Sequence, residues 1–134
     1  MAHSGRSSLA LTYSLKPAHI PVMICPARDI NHLSLWVRTL KRAAEVVVAV
    51  QESGDESRYQ HWVHIEPTDG WKHLDLDLAT LNLADDSKDE NGRLDFDQIA
   101  NIAILDIGGI LLQSGDNTLL IDDLVGEFRV PQGP

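Results

Sequence analysis

Two alternating runs that meet at a single turn constrain this chain more than any other feature. Residues 58–78 read RYQHWVHIEPTDGWKHLDLDL. Tyr59, His61, Val63 and Ile65 share one parity, and Gln60, Trp62, His64 and Glu66 take the other. Beyond the turn, Leu74, Leu76 and Leu78 alternate with His73, Asp75 and Asp77. A period of two belongs to strands with one face buried and one wet. Pro67, Asp69 and Gly70 supply the fixed and the positive backbone angles that a chain reversal requires. The apolar parity is the core face, so Trp62 points to solvent. A large aromatic on the wet side of a sheet asks for a functional explanation.

A chain of 134 residues fits one domain, placed here at residues 8–128 with flexible ends, and is long enough to bury a sizeable core. A net charge of −9 argues against nucleic acid, whose phosphates call for clustered Lys and Arg, and against docking on an anionic membrane. No apolar run is long enough to span a bilayer, and MAHSGRSS shows no signal-peptide core. The single cysteine, Cys25, excludes an internal disulfide.

The other segments speak for strands as well. SLALTYSL (8–15) alternates, residues 20–25 form a short apolar run flanked by prolines, and residues 31–39 place Leu33, Leu35 and Val37 on one side. Trp36 and Arg38 fall on the opposite side. EVVVAVQ (45–51) is rich in β-branched valine and nearly all apolar, as a central strand should be. Strand character lapses through an acidic loop after Leu78 and resumes at 99–107 and 117–125; single helical turns are expected within 79–84 and 96–100. Eight short strands without a convincing amphipathic helix predict an all-β, antiparallel sandwich. Leu33, Leu35, Val37, Val63, Ile65, Leu74, Leu76, Ile104 and Ile121 are its expected core.

The order SLALTYSL, LSLWV, VVVAVQESGDESRYQHWV, GWKHLDLDLATL, NTLLIDDL resembles the galactose-binding-like jelly-roll domains. Among them it is most similar to the carbohydrate-binding modules of plant-cell-wall hydrolases. The resemblance covers about Ser8 to Val125 and implies a non-catalytic module that binds an oligo- or polysaccharide, in an extracellular or periplasmic setting. It also implies that an aspartate at the place of Asp122 helps to hold a structural calcium against an N-terminal segment. That segment, a further strand in relatives, is not seen before Ser8, and a bond from Asp122 to backbone amides or a lysine is an equal alternative. The edge so exposed is expected to be filled by homodimerisation, by swapping or by MAHSGRSS. No cofactor is required by this reading.

Sugar rings present apolar C–H faces, for which an exposed indole is a flat, rigid platform. The SGDES turn makes residues 45–51 and 59–65 neighbours, so their wet face displays Gln51, Gln60, Trp62, His64 and Glu45. Amide and imidazole groups suit a neutral polyol. In the jelly-roll order Trp36 and Arg38 lie in the other sheet as a second, weaker candidate pair, while Trp71 follows a turn glycine and reads as structural. His61 and His64 face opposite sides, and His64 with Glu66 makes only two metal ligands. Residues 87–98, SKDENGRLDFDQ, imitate a calcium loop but end on Gln98 where a bidentate glutamate belongs. No nucleophile motif or phosphate loop is present. Two alternatives stay open: a structural or protein-interaction sandwich without a sugar site, and a small metal-dependent, cupin-like enzyme.

Overall fold

The computed structural model describes residues 9–53, 58–83, 99–111 and 113–130. They form strands β1 (Leu9–Leu15), β2 (Val22–Pro26), β3 (His32–Thr39), β4 (Ala44–Glu52), β5 (Arg58–Ile65), β6 (Lys72–Asp77), β7 (Asn82–Leu83), β8 (Ile99–Asp106) and β9 (Gly115–Glu127). Single 3-10 turns sit at Pro67–Asp69 and Leu78–Thr80. The strands make a four-stranded sheet, β1-β9-β3-β6, and a five-stranded sheet, β2-β8-β4-β5-β7, and the pairings among the described residues are antiparallel. This is the expected sandwich.

Alternation does the folding. Leu33, Leu35 and Val37 from one sheet meet Val46, Val48, Val50, Ile102 and Ile104 from the other in one apolar core. Of the nine residues expected there, eight are buried and Val63 is only partly so. Parity fixes the side on which a residue lies but not its depth. Further corrections are local. The second strand begins at Val22 and ends at Pro26, the helical turn expected within 79–84 begins at Leu78, and Ile99 and Ala100 open β8 where a helical turn was expected. Residues 96–98, the calcium-like segment 87–98 and MAHSGRSS lie outside the described residues.

In β9 the alternation breaks at Asp122-Asp123. The β3–β9 register shifts between Ser34 and Trp36, and Asp123 takes a φ of 51°. The extra residue is a bulge, which aspartate tolerates better than most residues. Asp122 Oδ1 accepts a 2.8 Å bond from the Asp123 amide there. The bulge lets Ile121 and Leu124 both reach the core while Asp122 and Asp123 do not join it.

A polar strut ties the two sheets together. Tyr13 Oη of β1 donates to Asp106 Oδ2 of β8 at 2.6 Å. Asp106 Oδ1 accepts from the amides of Gly108 at 2.9 Å and Glu45 at 3.3 Å. Burial, followed by the bond to the Asp106 carboxylate, pushes the Tyr13 hydroxyl well above the ordinary phenol range. Beside it Asn117 donates to Thr39 and to Tyr13, and accepts from the amides of Lys41 and Arg42. Gly109 closes this end. A Cβ there would lie 2.4 Å from the carbonyl oxygens of both Lys16 and His19, so only glycine lets the two turns approach.

Candidate functional site

The outer face of the five-stranded sheet can be read row by row from its register. One row, running across the strands, is Val22, Leu105, Val47 and Trp62. The next is Ile24, Ala103, Ala49 and Gln60, with Asn82 of β7 beyond. A third holds Asn101, Gln51 and Arg58. On the far side of the first row, Glu45 faces His64. The middle of the face is therefore an apolar band, roughly 14 Å across over three interstrand steps and bordered by polar rows. Val22, Ile24 and Trp62 are exposed at its ends, and Val47 and Ala49 are buried between them.

Trp62 is the large aromatic of this face and is 52% exposed. Its position is not loose. The indole Nε1 donates to Glu45 Oε2 at 2.8 Å, and Glu45 Oε1 bonds His64 Nδ1. His64 Nε2 in turn reaches Glu66 Oε1 at 2.7 Å. The Glu45 side chain is only 9% exposed, so its charge depends on these donors. The bond from Glu45, then that from Glu66, raises the His64 pKa above its ordinary value. Glu66 is held too, since its amide donates to Asp69 Oδ2 at 2.7 Å across the 3-10 turn.

Four of the sequence candidates, Gln51, Gln60, Trp62 and His64, thus share one face. Trp36, Arg38 and Asp122 lie on the outer face of the other sheet, where Trp36 sits opposite Asp122 in β9 and His73 in β6. The Trp36 and His73 rings stack, with centroids 4.6 Å apart and planes at 21°. That contact covers one face of the indole. His32 bonds Asp75 nearby, and this holds the Asp75 carboxyl below the usual carboxylate range. Trp71 is half-buried at the entrance to β6. Among the described residues no three His, Cys, Asp or Glu side chains are grouped to hold a metal ion, around Asp122 or elsewhere. Among them, too, no helix is long and apolar enough to cross a membrane.

Neither protein-family models nor curated proteins match the sequence. Solved structures do. A family 11 carbohydrate-binding module from Clostridium thermocellum, in complex with a β-1,3-1,4-mixed-linked tetrasaccharide, superimposes with a TM-score of 0.68 at 13% identity. The match covers 96% of this chain and 88% of that one. The family 11 module of a cellulosomal cellulase from the same organism gives 0.64 at 10% identity, over 96% and 86%. The fold is the carbohydrate-binding-module jelly roll. At this identity the likeness concerns the fold, and the residues of the site must be argued from this chain itself.

Glu45 is the residue that sequence reasoning undervalued. It was placed on the wet face but not among the binding candidates, although it is the one charge in a strand that otherwise reads AVVVAVQ up to Gln51. A carboxylate at an outward position of a central strand, diagonal to an outward tryptophan, is the signal that could have found it.

Proposed function

We propose that the chain is a non-catalytic carbohydrate-binding module whose site is the outer face of the five-stranded sheet. The observation that carries this reading is Trp62, half exposed yet fixed at its indole nitrogen by Glu45. A rigid aromatic plane loses little conformational freedom when a ligand stacks on it, which is where weak sites gain most. The apolar band suits the C–H faces of a glycan chain, and the polar rows beside it suit the hydroxyl edges. The band crosses the strands over a length fit for an oligosaccharide. The solved neighbour is in complex with a β-1,3-1,4-mixed-linked tetrasaccharide, which makes neutral β-linked glycans, β-glucans among them, the first ligands to try. Trp36, already stacked on His73, is the weaker platform.

A panel of soluble neutral glycans tests this by affinity electrophoresis, with and without calcium. Retardation by at least one β-glucan, unchanged by chelator, is the expected result. Retardation by none would sink the proposal. Hydrolysis of a retained glycan would instead favour an enzyme.

A further inference from the structure

We propose that His64 is a positioning residue that works as an imidazolium: by bridging Glu45 and Glu66 it fixes the Trp62 ring, and the platform slackens when that bridge loses its proton. The proposal rests on the glycan-binding reading for its consequence, but not for the bridge itself.

The argument is one of donors and acceptors. Each ring nitrogen of His64 faces a carboxylate oxygen, Glu45 Oε1 at Nδ1 and Glu66 Oε1 at Nε2. An ionised carboxylate can only accept, so both nitrogens must carry hydrogen, and only the imidazolium has two N–H groups. Neutral imidazole would turn a lone pair toward one of the two carboxylates. Glu45 cannot swing into water to escape, since its side chain is nearly covered. Its second oxygen is the one that holds Trp62. Loss of the His64 proton therefore opens one end of the bridge. At the Glu45 end it frees Glu45 to rotate about its remaining donor, the indole, and at the Glu66 end it unpins the imidazole that holds Glu45.

The charged and titratable groups facing His64 are few. Glu45 comes from β4, Glu66 follows β5, and Asp69 lies behind Glu66 in the 3-10 turn. The neighbouring outward positions, Trp62 and Val47, do not titrate in the range concerned. Both bonded carboxylates favour the proton and raise the imidazole above its ordinary value of 6.5. The bridge is consequently complete below that value and lost only as pH rises through the higher folded-state pKa. An alkaline loss, not an acid one, is the signature.

Nitrogen-resolved NMR on the whole chain reads this without any sugar, by following the His64 ring nitrogens and the Trp62 indole N–H with pH. Expected is a His64 midpoint above 6.5, with the Trp62 signal moving at the same midpoint. Glu66→Gln removes one of the two charges and should shift both midpoints down together. In parallel, affinity for a mixed-linked β-glucan tetrasaccharide should fall roughly three- to tenfold across that transition, the worth of one ordinary hydrogen bond. A His64 midpoint at or below 6.5, or a Trp62 signal that ignores it, overturns the proposal. If both signals titrate together but no glycan binds at any pH, the bridge stands and the glycan reading falls.

Discussion

Asp106→Ala should cost about 3–5 kcal/mol of folding stability, a large part of what a domain of this size has to lose. The carboxylate is 2% exposed and accepts from three donors. Its removal leaves the Tyr13 hydroxyl and two backbone amides short of an acceptor at the junction of the sheets. Each buried group so stranded costs about 1–3 kcal/mol. Asp106→Asn should be milder, about 1–2 kcal/mol, because its carbonyl keeps the two amides satisfied and the Tyr13 hydroxyl can turn to accept. Urea unfolding followed by circular dichroism checks both variants. Equal losses would mean that the site is felt as charge, and a loss below about 1 kcal/mol for alanine would mean that the strut carries no weight. The Glu45 amide is one of the three donors, so this strut also holds the strand that carries the Trp62 partner.

The second large effect concerns binding. Trp62→Ala should weaken glycan binding about 30-fold or more, the rough 2 kcal/mol of an aromatic hot spot, which for a weak site abolishes measurable affinity. The fold should survive, because the side chain lies outside the core and is 52% exposed. Trp71→Ala should do the reverse, lowering the melting temperature without a selective loss of binding. Isothermal calorimetry and thermal melts on the two variants separate the roles. If Trp62→Ala unfolds the chain, the tryptophan is structural and the platform assignment fails.

Much of this was legible in residue order, and the rest was hidden for identifiable reasons. Parity alone placed Trp62, Gln60 and His64 outward and Leu33, Leu35 and Val37 inward, since alternation is a local property of each strand. β7 escaped notice because two residues, Asn82 and Leu83, cannot display a period. Of Asp122 and Asp123, read as carboxylates of which at least one is half buried, Asp122 is indeed buried at 8% exposed, while the bulge in β9 that leaves Asp123 exposed was not legible. Bulges leave no mark in composition. Asp106 was invisible as a strut because two of its donors stand 93 and 61 residues away in sequence. The Trp62–Glu45–His64–Glu66 chain was half legible. Parity put all four on one face, but the cross-strand register that sets Glu45 against His64 is a tertiary fact.

The central claim is that a glycan lies across the outer face of the five-stranded sheet with Trp62 as its platform. Chemical-shift mapping of the intact chain with a mixed-linked β-glucan tetrasaccharide addresses it directly. The account predicts saturable shifts of the Trp62 indole N–H and of the Gln60, Val47 and Ala49 amides, while the Trp36 indole stays still. Saturable shifts confined to Trp36 and His73, or none at millimolar sugar for any neutral glycan, would contradict it.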